Sequence, residues 1–131
     1  MLWPRRSVTL ASMPPCRAYV VEPQRIFVPF LVDALTGSGL QVTQVSARFD
    51  PAVVATDPPP IVFLDIDVDT AFPEEVIRLA RSATPLSVVV VYASGDATPY
   101  RRAGADEVVS KMLDVPEFQA AMRELARRGC P

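Results

Sequence analysis

Residues 61–67 read IVFLDID: four apolar side chains, an aspartate at 65, one more apolar residue and a second aspartate at 67. An apolar run this short, without alternation, fits a strand covered on both faces, since a buried helix needs ten residues or more. Asp57-Pro58-Pro59-Pro60 just before it forces an extended entry, because proline donates no backbone N–H and disfavours helix in the residue it follows. The strand therefore starts abruptly and ends in carboxylates.

The same texture recurs on either side. SVVVVYA at 87–93 reads as a second central strand and AYVV at 18–21 as another, closed by Glu22-Pro23. QVTQVS at 41–46 alternates like a less buried strand, and 107–111 supplies a fifth. Helical spacing fills the gaps. In 26–35, Phe27, Phe30, Leu31, Ala34 and Leu35 share one broad face, Pro29 weakens the start, and Gly37 and Gly39 end it. A short helix fits 50–55. Pro73-Glu74-Glu75 opens one to residue 83, where proline and acids suit a first turn. A brief helix around 99–103 and an amphipathic one over 116–128, closed by Gly129, complete the set. Five strands alternating with five helices predict an α/β domain: a parallel sheet with helices on both faces. Such sheets place their reactive site beyond the carboxyl ends of the strands. That rule gathers Glu22, Asp65, Asp67, Tyr92, Ser94 and Lys111.

Composition narrows the chemistry. At 131 residues the chain fits one domain, which leaves no room for a separate effector. Thirteen basic against fifteen acidic residues give a net charge of −2, so no broad nucleic-acid footprint is expected. There is no histidine, which excludes imidazole as base or metal ligand. Residues 1–17 (MLWPRRSVTLASMPPCR) read as a loose tail, with Met13 as an alternative start, and residues 18–129 as the domain. The tail's apolar stretch is too short and too interrupted for a secretory signal, and no run reaches the length of a membrane span. Cys16 and Cys130 form no CxxC pair, and two free thiols in a reducing cytoplasm are expected. Arg123, Arg127 and Arg128 read as a solvated helix face that complements the C-terminal dipole.

YVVEP (19–23), IVFLDID (61–67), YASGD (92–96) and AGADEVVSK (103–111), in this order and spacing, resemble the strand ends of response-regulator receiver domains. The resemblance covers about 18–129 and implies a CheY-like, flavodoxin-like sheet of strand order 2-1-3-4-5. Receivers accept a phosphoryl group on an aspartate, with Mg²⁺ and a lysine neutralising charge in the transition state. On that pattern Asp65 matches the phosphoacceptor and Lys111 the phosphate-binding lysine. The hydroxyl position falls on Tyr92 or Ser94, because 92–104 is about three residues short. The metal ligands correspond to Glu22, Asp65 and Asp67, the last through its backbone carbonyl.

The chain departs from the family at several of these positions. Pro23 replaces the second metal-binding acid, Val108 the fifth-strand aromatic, and Met112 the proline after the lysine. Those departures imply weak or absent Mg²⁺, no other cofactor, and Asp65 and Lys111 as a structural ion pair. They also imply that Tyr92 fills the space vacated at Val108, with Asp67 and Asp69 as solvated loop acids. The expected function is a stand-alone atypical receiver, or pseudo-receiver, in two-component-type signalling. It is not an enzyme, and it acts through a protein partner, a histidine kinase or another signalling protein, or through a homodimer, without nucleic acid or membrane. Two alternatives stand beside it: a working phosphoacceptor at Asp65, and a small-molecule-binding domain on the same scaffold. The latter lacks a glycine-rich phosphate loop after the first strand.

Overall fold

The computed structural model describes residues 15–131. Its elements alternate along the chain: β1 (Cys16–Val21), a 3₁₀ turn (Arg25–Phe27), α1 (Val28–Thr36), β2 (Leu40–Ser46), α2 (Pro51–Val54), β3 (Ile61–Asp65), α3 (Pro73–Ala83), β4 (Val88–Ala93), α4 (Thr98–Ala103), β5 (Glu107–Ser110) and α5 (Val115–Gly129). The five strands form one parallel sheet of order β2-β1-β3-β4-β5. This is the order the resemblance implies.

Side-chain alternation along the strands builds two cores. Ala18, Val20, Phe63, Val90 and Val109 point to one face, where Leu31 and Leu35 of α1 and Phe118, Met122 and Leu125 of α5 cover them. Tyr19, Val21, Val62, Leu64 and Val91 point to the other, under Val54 of α2, Ile77 of α3 and Ala103 of α4. All five residues of β3 are buried, as a central strand covered twice requires. Sealing Phe63 alone is worth about 2–3 kcal/mol.

Local chemistry sets the helix ends. Asp114 accepts from the Glu117 N–H while Glu117 accepts from the Asp114 N–H, a reciprocal box that starts α5. Pro29 sits in the first turn of α1, and the 3₁₀ turn ahead of it carries the weakened entry. Helix α4 has only six residues, consistent with the short 92–104 segment.

Two expectations change. Cys16 and Cys130 are not free: a disulfide with Cα atoms 5.7 Å apart ties the start of β1 to the end of α5. The two residues are 114 apart in sequence, and they meet only because α5 packs back across the sheet beside β1. The strand also begins at Cys16 rather than 18, so Cys16 and Arg17, placed in the expected 1–17 tail, belong to the sheet; residues 1–14 of that tail lie outside the described residues.

Candidate functional site

The parallel sheet brings the ends of β1, β3, β4 and β5 to one edge, where four ionisable side chains meet. Glu22, directly after β1, is 2% exposed, and Asp65, the last residue of β3, is 7% exposed. Asp67 follows two residues on, with its N–H donating to Thr70 Oγ1 at 2.8 Å. Carboxylate oxygens of these three lie within 4.8 Å of one another. Lys111, just past β5, reaches into them. Its Nζ stands 2.6 Å from Asp65 Oδ1 as an ion pair and 2.8 Å from Asp67 Oδ1 as a hydrogen bond. Gln24 Nε2 donates to the other oxygen of Asp67 at 3.0 Å.

Electrostatics follow from this crowding. Burial, then the hydrogen-bonding contact and negative charge of Asp65, push the Glu22 carboxyl from 4.5 to about 8, so it holds a proton at neutral pH. For Lys111, burial alone would lower the ammonium, but the contacts with Asp65 and Asp67 outweigh it and raise it. Glu22 Oε2 accepts from the Gln24 N–H at 3.2 Å, while Glu22 Oε1 and Asp65 Oδ1 have no partner in hydrogen-bond geometry.

The family's Mg²⁺ can be tested against this donor set. The ion requires near-octahedral oxygen ligation. Pro23 supplies no side-chain oxygen, and Lys111 already holds the facing oxygens of Asp65 and Asp67. Three carboxylates are present, but two are engaged by an internal cation. The set does not fit the ion as it stands.

The expected residues gather unevenly. Glu22, Asp65 and Lys111 converge. Asp67, expected as a solvated loop acid, is instead half-buried and holds Lys111 through its side chain, whereas Asp69 is exposed. Ser94 lies exposed in the loop after β4. Tyr92 stands beside the cluster, its ring centroid 5.3 Å from Lys111 Nζ, and packs on Phe63 at 5.7 Å and Phe118 at 5.2 Å. It therefore faces α1 and α5. Val108 lies on the opposite face, beneath α3 and α4, because Tyr92 pairs in register with Val109. The expectation that Tyr92 fills the space at Val108 is thus overturned by strand register. Burial and the Asp65 charge raise the Tyr92 phenol above its usual value. Sequence reasoning missed Gln24, whose signal was its position two residues after a strand-end acid.

No family model matches the chain. It is 30% identical over 113 residues to the KDP operon transcriptional regulatory protein KdpE of Escherichia coli (strain K12), covering 83% of this chain and 50% of that protein. The chain thus spans about half the length of the curated relative it matches. A CheY-like response regulator receiver domain protein from Methanospirillum hungatei JF-1 superposes with a TM-score of 0.71 at 14% identity, covering 88% of this chain and 97% of that one. A Burkholderia pseudomallei response regulator, solved with a phosphorylated aspartic acid, a calcium ion and citrate, superposes with a TM-score of 0.65 at 18% identity, over 86% of this chain and 69% of that one. Among the described residues no helix is long and apolar enough to cross a membrane. With the strand order 2-1-3-4-5, an aspartate closing β3 and a lysine reaching it from β5, the described residues form a response-regulator receiver domain of the CheY-like type.

Proposed function

We propose that this receiver domain is an atypical, binding-type member of two-component signalling, one that acts through a protein partner rather than through a metal-dependent phosphorylation cycle. The observation that carries the reading is Lys111 seated between Asp65 and Asp67, at 2.6 and 2.8 Å, with Pro23 where the family holds a second acid. A metal-assisted transfer needs a cation that bridges the aspartate and the incoming phosphoryl group. Here the resident ammonium neutralises the acids, so Mg²⁺ binds weakly and Asp65 serves as an ion-pair partner. On this reading the chain has no enzymatic activity of its own, works in the cytoplasm, and is recognised by a histidine kinase, another signalling protein or a second copy. It contacts neither nucleic acid nor membrane. Phosphoacceptance at Asp65 is the competing reading, favoured by the intact Asp65–Lys111 pair and by the phosphorylated aspartic acid of the Burkholderia neighbour.

Intact-mass analysis after incubation with acetyl phosphate and Mg²⁺, beside Asp65→Ala, separates the two. The expected result is no adduct. An 80-Da adduct, about the mass of one phosphoryl group, present in the wild type and lost in Asp65→Ala would establish the phosphoacceptor instead.

A further inference from the structure

The chain contains two cysteines, and they are bonded to each other. Cys16 opens β1 and is buried among the residues packed between the sheet and α5. Cys130 follows α5 as its C-cap and is half-buried. Thiol reductants of the cytoplasm, the compartment of the reading above, oppose such a bond. It is there either as a disulfide that resists them or as one that opens and closes.

The end of α5 favours the second. Phe118, Met122 and Leu125 are buried and keep the helix on the sheet without help from the bond. Beyond Leu125, none of residues 126–131 is buried. Gly129 passes so close to Ile61 that an added Cβ would stand 2.6 Å from Cδ1, yet it offers no side chain to hold the contact. Arg128 reaches Glu107 at 3.2 Å, but both side chains are more than a third exposed, and such a pair contributes little. The disulfide is therefore the main tether of this turn. When it opens, the turn frays while the rest of α5 stays in place. A thiol on a frayed end competes less well for its partner than a fixed one, so it yields to small thiols. It also stays near enough to close again.

We propose that Cys16 and Cys130 form a reversible thiol–disulfide exchange site, which reacts with small thiols and disulfides of the glutathione class and so frees or locks the last turn of α5. The idea rests on the cytoplasmic part of the reading above, and not on whether Asp65 accepts phosphate. In opening, a small thiolate attacks Cys130 Sγ, the sulfur of the more exposed residue, and the bond to Cys16 breaks. Cys16 leaves as a thiolate and takes a proton, while Cys130 holds the small molecule as a mixed disulfide. A second small thiolate attacks the sulfur of that molecule, which releases Cys130 as a thiol and a small disulfide. The protein gains two electrons and two protons, both supplied by the two small thiols. Closure is the same sequence reversed.

The test equilibrates the whole chain with glutathione mixtures from oxidised to reduced, then unfolds it, blocks free thiols with N-ethylmaleimide and reads the intact mass. The pair is expected to pass from closed to open within that range. A bond still closed in millimolar reduced glutathione overturns the proposal and marks a purely structural disulfide. Trypsin reads the consequence: cutting after Arg127 and Arg128 is expected to be at least about ten-fold faster in the open form, with cutting after Arg101 and Arg102 of α4 unchanged. Equal acceleration at both helices, or none at α5, overturns the release of the last turn. Cys130→Ser is expected to be cut fast at α5 whatever the glutathione mixture, and slow cutting there counts against the tether. Cys16→Ala repeats this should Cys130→Ser disturb folding. The acetyl phosphate experiment on Asp65 reads a different mass change at a different residue, so the two ideas fail separately.

Discussion

At the amino ends of the strands, Cys16 is bonded to Cys130, and Arg81 donates to the carbonyls of Thr84, Pro85, Ser87 and Gly104 and to Asp106 at 2.6 Å. Ser87 Oγ donates to the Pro59 carbonyl at 2.6 Å, and of these groups only Arg81 Nε is left unpaired. At the carboxyl ends, by contrast, three acids crowd together with a single lysine that serves two of them, and Glu22 is left to hold a proton beside Asp65. The same strands thus end in a clasp on one side and in an underpaired charge cluster on the other. Strand ends whose polar groups are paired stabilise the fold; those left wanting a partner are where a ligand or a protein can contribute one.

The clasp is the first place to break this contrast. The Cys16–Cys130 bond closes a loop of 114 residues, and in the chain-entropy account such a bond is worth roughly 4–5 kcal/mol. Reduction, or Cys16→Ser with Cys130→Ser, is expected to lower the urea midpoint by a corresponding amount. An unchanged midpoint under reducing conditions would remove the disulfide from the clasp. Gly104 should come next. Its φ is +125°, and a Cβ there would stand 2.9 Å from Arg81 Cβ, so Gly104→Ala meets both strain and a clash. A loss of about 2–3 kcal/mol is expected by urea denaturation.

At the charged end the effects are smaller and depend on pH. Glu22 sits at about 8 when folded against 4.5 when unfolded, so between these values the folded state binds the extra proton. The stability this proton supplies is fully present below pH 4.5 and is lost as pH rises through 8. Wild type should therefore be more stable at pH 5.5 than at pH 8.5, and Glu22→Gln should flatten that slope; a slope unchanged in the variant would move its origin elsewhere. Asp67→Asn leaves Lys111 one acid fewer and should cost only about 1 kcal/mol, because both side chains are partly exposed. Thermal melts of the two proteins side by side check it.

The fold was legible because strand and helix periods alternate so plainly: IVFLDID and SVVVVYA can only be central strands between helices. Much of the site was legible too, since parallel strands of this kind gather Glu22, Asp65 and Lys111 once their ends are known. The remainder depended on geometry that spacing does not carry. Tyr92 and Val108 were assigned to one pocket, yet a register of Tyr92 against Val109 puts them on opposite faces, and a single-residue shift decides it. Asp67 looked like a loop acid because nothing in the sequence says which way a side chain turns after a strand ends. Cys16 and Cys130 are too far apart in the chain to suggest a bond until α5 is laid back beside β1.

The claim that Lys111 stands in for the metal is tested most directly by calorimetric titration of Mg²⁺ into the wild type and into Pro23→Asp. Restoring the missing acid should tighten Mg²⁺ binding about ten-fold or more, with the wild type binding only weakly. Wild-type binding as tight as that of Pro23→Asp would contradict it, and would show that Glu22, Asp65 and Asp67 hold the ion without help.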